Sequence, residues 1–219
     1  MNLIDFEKNF LEECEKNNIR IETEDIEWFY KYMGHILEWN TRINLTAIRN
    51  EEEFIVKHFI DSLTINKHIE NGNKIIDIGT GAGLPGIPLK ITNKESKVTL
   101  IDSVNKKLNV IKEFIEKTKL ENIEVIHARA EDLLKKEEHR NKYDIAVTRA
   151  VSSLKVIIGY MLPFLKTSGK AICMKGPNFE IELEEAKPTI ERFGGEIEII
   201  EKIKIHDFER VIIIIKRTT

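Results

Sequence analysis

The 219-residue chain is poor in cysteine: Cys14 and Cys173 are its only thiols, too few for a disulfide framework or a cysteine-built zinc site. No apolar run approaches the ~20 residues that a membrane-spanning helix requires. The opening Met1-Asn2-Leu3-Ile4-Asp5-Phe6-Glu7 carries an early acid instead of a basic cap ahead of an apolar stretch. These absences predict a cytoplasmic protein that is neither exported nor held in a membrane. Proline is scarce at five residues, and the chain has no Pro/Gly-rich linker, internal repeat or low-complexity tract. It also lacks an excess of positive charge: 34 bases face 37 acids, a net −3 that taken whole argues against a polyanionic partner.

The charge is unevenly placed. Residues 1–30 hold nine acids against three bases, a balance of −6, so the remaining 189 residues carry +3. A slightly basic body behind an acidic start leaves a nucleic-acid partner open.

Up to about residue 69 the apolar spacing is helical, with Phe6, Phe10 and Leu11 in one stretch and Phe29, Met33, Ile36 and Leu37 in the next. Thr23 stands where it would cap the second helix. A loop is expected over 40–50 and a helix over 51–69. From Asn73 the pattern changes to short apolar strands at 74–78, 97–102, 123–127, 143–148 and 169–174, alternating with helices near 84–92, 104–118, 131–136, 152–165 and 179–193. That alternation predicts a parallel sheet covered by helices. Two further strands, 196–205 and 210–216, are joined by only four residues and must form an antiparallel hairpin. The expected architecture is an α/β domain over 72–219 behind a helical cap over 1–71.

The first strand runs into Asp77-Ile78-Gly79-Thr80-Gly81-Ala82-Gly83-Leu84-Pro85-Gly86. Glycines let such a turn curl tightly and let a ligand approach main-chain N–H groups at a helix start, here expected near Leu84. Residues 81–86 fit the dinucleotide pattern G-x-G-x-x-G, but Gly81 falls two residues too late after the strand. The register from Asp77, D-x-G-x-G-x-G, resembles the first motif of S-adenosylmethionine-dependent methyltransferases. Asp102, ending the second strand, suits an acid that accepts ribose hydroxyls of either cofactor. The terminal hairpin also resembles the ending of the Rossmann-like methyltransferases. Only 117 residues follow Asp102, which leaves little room for a dehydrogenase's substrate domain.

Trp39-Asn40, Asn44–Ile48, His58–Leu63, Asp77–Pro88, Asp102-Ser103 with Lys106-Lys107, Arg129–Glu131, Arg149-Ala150 and Lys175-Gly176 occur in the order seen in the bacterial 16S ribosomal RNA methyltransferase G family, also called glucose-inhibited division protein B. The chain resembles that family over roughly residues 35–216. The resemblance implies S-adenosyl-L-methionine as cofactor and methylation of guanine N7 in the 530 loop of 16S rRNA, within a 30S particle or an assembly intermediate. It places cofactor contacts at Gly79, Leu84, Ala130, Glu131 and Arg149. A monomer is expected.

The residues themselves are consistent with this assignment and leave some roles open. Arg149 ends an apolar strand, where its charge needs a cofactor carboxylate, a target phosphate or an acid such as Asp77. His58 and Asp61 share a helix face; with no third ligand nearby, a hydrogen bond holding the cap is a better reading than a metal. Lys106, Lys107, Lys175 and Arg210 are candidate phosphate contacts. Neither cysteine stands in a proline-cysteine context for attack on a pyrimidine, and the fourth strand ends Thr148-Arg149-Ala150 in place of an Asn/Asp-Pro-Pro-aromatic motif. A target that is already nucleophilic, needing no general base, fits these absences. An NAD-dependent reductase and a non-catalytic rRNA-binding factor are the alternatives.

Overall fold

The computed structural model describes residues 1–149 and 152–219. Ala150 of the Arg149-Ala150 pair lies outside the described residues. The first helices are α1 (Leu3–Lys16) and α2 (Thr23–Asn40), with Phe6, Phe10 and Cys14 and then Ile26, Phe29, Met33 and Ile36 on their buried faces. Asn2 caps α1 through a bond from the Asp5 N–H. Thr23 does not cap α2: Glu22, in extended backbone, precedes the helix and Thr23 is its first residue. Next, α3 (Glu51–Phe54) passes through a π-helical stretch, Ile55–Ile60, into α4 (Asp61–Leu63). The expected single helix over 51–69 is therefore wider in the middle, and a 3₁₀ turn, Asn66–His68, ends it. Such widened turns concentrate at functional sites.

Seven strands then form one sheet in the order β3-β2-β1-β4-β5-β7-β6. Strands β1 (Lys74–Ile78), β2 (Lys97–Asp102), β3 (Ile123–His127), β4 (Tyr143–Arg149) and β5 (Leu165–Lys175) are mutually parallel. The last strand, β7 (Phe208–Arg217), enters antiparallel between β5 and β6 (Gly195–Ile205). Between strands lie α5 (Gly86–Thr92), α6 (Asn105–Thr118), α7 (Ala130–Leu133), α8 (Leu154–Phe164) and α9 (Phe179–Arg192). Helix α5 starts at Gly86, two residues later than expected, because the glycine loop extends to Pro85. Pro88 falls in its first turn, where a missing N–H costs nothing.

Strand alternation divides the core in two. Ile75, Leu100, Ile145, Val147, Ile172, Ile212 and Ile214 face the helices that precede residue 72, in one continuous cluster with Phe6, Phe10, Phe29 and Phe59. Ile76, Ile101, Ala146, Ala171, Cys173 and Ile213 face α8 and α9. The aromatic rings of the first cluster pack at centroid distances such as 4.8 Å for Phe10–Phe29 and 4.9 Å for Phe29–Phe59, each pair contributing ~0.5–1.5 kcal/mol beyond its buried area. Cys14 and Cys173 are both free and buried, and burial pushes each thiol up to about 12. Among the described residues no helix is long and apolar enough to cross a membrane.

Candidate cofactor and target site

Strand order reverses between β1 and β4, and in open α/β sheets ligands sit beyond the carboxyl ends of the strands at such a point. A cavity of about 470 Å³ lies there, within the range usual for small-molecule sites. Gly79, Asp102, Ala130, Glu131 and Arg149 all line it, together with Lys107. Its apolar wall comes from Val156, Ile157 and Tyr160 of α8. The sequence reading missed this wall, because nothing in the local pattern of α8 distinguishes a cavity face from a core face.

The glycine loop is built differently from the expected open cradle of N–H groups. Gly79, Gly81 and Gly83 have φ of 73°, 59° and 82°, a region that side chains disfavour. Yet the N–H groups of Gly79 and Thr80 both go to the Ile101 carbonyl, at 2.9 and 3.0 Å, and those of Gly83 and Leu84 both go to the Thr80 carbonyl at 2.9 Å. Gly81 N–H donates to Asp102 Oδ2 at 2.8 Å. With these donors used internally, the loop offers a ligand a close, curved surface and not the phosphate cradle that a dinucleotide requires. Leu84 stands apart from the other expected contacts: only 4% exposed, its side chain packs in the core beneath the loop and does not line the cavity.

Two groups hold the loop from below. Asp77, fully buried at the end of β1, accepts on Oδ2 from Thr80 Oγ1 at 2.6 Å and from Gly86 N–H at 2.9 Å. Its Oδ1 has no partner among the described residues, and burial raises its carboxyl to about 6. From the cap, the Tyr32 hydroxyl donates to the Ala82 carbonyl. A side chain at Gly83 would bring its Cβ within 2.5 Å of that hydroxyl.

Arg149 does not pair with Asp77. Its Nη1 donates to Asp61 Oδ2 at 3.1 Å and to the Lys57 carbonyl at 3.2 Å, while Nη2 lies 3.3 Å from His58 Nδ1. Arg149 can only donate, so in that contact His58 Nδ1 is the acceptor and the ring proton belongs on Nε2, 2.7 Å from Thr46 Oγ1; Nδ1 also lies 3.1 Å from the Lys57 carbonyl. Burial, and then the Arg149 charge, push His58 down to about 3, so the ring stays neutral. Asn40 shapes the loop that carries Thr46, accepting from the N–H groups of Leu45 and Thr46 at 2.8 and 3.1 Å. His58 and Asp61 are thus spent on hydrogen bonds that tie the cap to the sheet.

The four candidate phosphate contacts separate. Lys107 reaches the cavity and Lys106 is exposed on the same helix. Lys175 is 9% exposed, paired with Glu182 at 2.6 Å and bonded to the Ser152 carbonyl at 2.9 Å. Arg210 grips Asp61 with Nε at 2.7 Å and Nη2 at 2.9 Å. Both are corrected from surface cations to internally paired ones, since charges drawn below the surface need counter-ions. Arg129, the first residue of the Arg129–Glu131 motif, also lines the cavity.

The model of the family described as rRNA small subunit methyltransferase G matches residues 25–211. A ribosomal RNA small subunit methyltransferase G of Clostridium botulinum (strain Loch Maree / Type A3) is 45% identical over 208 residues, covering 93% of this chain and 87% of that one. Among solved structures, M. jannaschii TYW2 in complex with AdoMet superposes with a TM-score of 0.61 at 20% identity, over 82% of this chain and 80% of the other. M. capricolum TrmK in complex with S-adenosyl-homocysteine gives 0.57 at 21% identity, over 71% and 67%. These two likenesses speak to the Rossmann-like methyltransferase fold, whereas the match along the sequence carries the assignment: the chain belongs to the rRNA small subunit methyltransferase G family.

Proposed function

We propose that this protein transfers a methyl group from S-adenosyl-L-methionine to N7 of a guanine in the 530 loop of 16S rRNA, by positioning and without a general base. The observation that carries the reading is the convergence of Gly79, Asp102, Ala130, Glu131 and Arg149 on one cavity at the strand switch point, in a chain of this family. The donor set suits the cofactor. Asp102 uses one lone pair of each oxygen on the Gly81 and Val104 N–H groups and keeps the others for a ribose diol. Ala130 and Glu131 stand where an adenine edge would be read, Val156, Ile157 and Tyr160 offer apolar surface, and Arg149 offers a fork for the methionine carboxylate.

When bound, the cofactor supplies a methyl on a sulfonium. The chain's task is to hold the acceptor in line with it, a gain that comes from orientation. Guanine N7 has an exposed lone pair and no proton to lose, so no side chain must accept one. The methylated ring becomes cationic, and Asp61 moderates the positive charge at this end of the cavity by pairing with Arg149.

In this reading residues 1–71 form a cap on a methyltransferase domain of residues 72–219, and the protein works in the cytoplasm as a monomer on a 30S particle or an assembly intermediate. The edge strand β6 supports the monomer: it exposes Glu196, Glu198, Lys202 and Lys204, charges that oppose pairing with a second copy. Nucleoside analysis of 16S rRNA from cells lacking the gene tests the reaction, target and atom together. Loss of 7-methylguanosine from the 530 loop is expected, and an unchanged level overturns the proposal.

A further inference from the structure

Asp61 is 0% exposed and is held by two arginines from the strands that flank β5, Arg149 at the end of β4 and Arg210 near the start of β7. Arg210 approaches through Nε and Nη2, a parallel fork that occupies both carboxylate oxygens and fixes the plane of the Asp61 carboxylate. Arg149 meets that fixed carboxylate with Nη1 and spends the rest of the same end of its guanidinium on the Lys57 carbonyl and His58 Nδ1. Among the described residues these contacts account for three of its five N–H groups. The two that remain, on Nε and Nη2, lie side by side on the other edge of the plane, and Arg149 borders the cavity. One carboxylate between two guanidinium groups also leaves a positive charge to be met.

We infer that Asp61 is a positioning residue for the methyl donor: clamped by Arg210, it turns Arg149 so that the Nε/Nη2 edge receives the donor's carboxylate. This rests on the function proposed above and extends it to two residues outside the cavity wall. The role is distinct from holding the fold, because it predicts a defect confined to ligands that carry the amino-acid moiety.

The experiment compares S-adenosylhomocysteine, which has that carboxylate, with 5′-methylthioadenosine, which lacks it. Both are titrated calorimetrically into the wild type, Asp61→Asn, and the double variant Asp61→Asn/Arg210→Gln. The double variant removes one charge of each sign and so protects the buried charge balance should the single variant fail to fold. We expect S-adenosylhomocysteine affinity to fall by about tenfold, the scale of a charge-assisted hydrogen bond, with methylthioadenosine affinity unchanged. In methyl transfer to 30S particles the donor KM rises while kcat at saturation holds. An unchanged affinity ratio between the two ligands in well-folded variants overturns the inference, as does a defect only in KM for the 30S particle, which would make the remaining edge a phosphate site. If the wild type binds neither ligand, the cofactor reading itself falls and this inference with it.

Discussion

Asp77 uses one oxygen for two hydrogen bonds and leaves the other buried without a partner, an arrangement that costs little when the carboxyl is protonated and more when it is ionised. Its native value of about 6 lies above the ordinary 3.8, so between those limits the folded protein binds more protons than the unfolded chain. Stability contributed by this group therefore falls as pH rises from 3.8 to about 6, by roughly 3 kcal/mol, and is level above that. Asp77→Asn keeps an acceptor for Thr80 and Gly86 and has nothing to titrate. Denaturation of both proteins across this range should show the variant gaining on the wild type up to pH 6, and a constant difference would count against the assignment. His58 titrates in the opposite sense, since its native value of about 3 lies below the ordinary 6.5 and stability is lost as pH falls through that window. An NMR titration should find its imidazole neutral from pH 8 down to 4, and a midpoint near 6.5 would contradict the contact with Arg149. At this scale the sequence exposed Asp102, Glu131 and Arg149 because each charge follows an apolar strand. It could not expose the Arg149–Asp61–Arg210 set, whose members are separated by 88 and 149 positions.

The hydroxyl of Tyr32 in α2 bonds to the glycine loop, and that contact links the cap to the cavity. Tyr32→Phe removes the bond to the Ala82 carbonyl while keeping the ring's packing against Phe114 at 4.9 Å. The expected result is a loss of about 1 kcal/mol in stability with a few-fold weaker cofactor binding, read by thermal unfolding and calorimetry. Equal cofactor affinity in the two proteins would show that the loop holds its shape without the cap. Gly83→Ala acts on the same contact with greater force. Its Cβ meets both Tyr32 Oη and Ile87 Cγ1, and a φ of +82° already disfavours a side chain. A loss of about 2 kcal/mol or more is expected, with donor binding abolished. Alternation of strand and helix was readable because five apolar runs recur between helical patterns. The π-helical stretch at Ile55–Ile60 was not, because its residues match an ordinary helix. Nor was the internal use of the loop's N–H groups, since a glycine pattern states which φ are allowed and not where the donors point.

Across the whole molecule, net charge proved a weak guide to partners. The chain totals −3, with its acids concentrated before residue 31, while Lys107, Arg129 and Arg149 border one cavity. A basic rim this small gives modest, salt-sensitive affinity for RNA in general. Methyl transfer to 30S particles should therefore exceed transfer to a short 530-loop RNA by at least about tenfold at physiological salt, and equal rates on both would refute recognition of a ribosomal surface. The hairpin was legible from its short connection, two residues in the structure where the pattern predicts four, but the insertion of β7 between β5 and β6 is a long-range choice that strand patterning alone leaves undecided. That insertion bears on how the chain is made. Phe6 and Phe59 share a core with Ile212 and Ile214, and Asp61 waits for Arg210, so these segments are completed by a strand synthesised 149 residues or more after them. Folding cannot finish while β7 is still in the ribosomal tunnel. Stalled nascent chains ending before Phe208 should leave α1 and α2 open to proteolysis, and release of the full chain should close them.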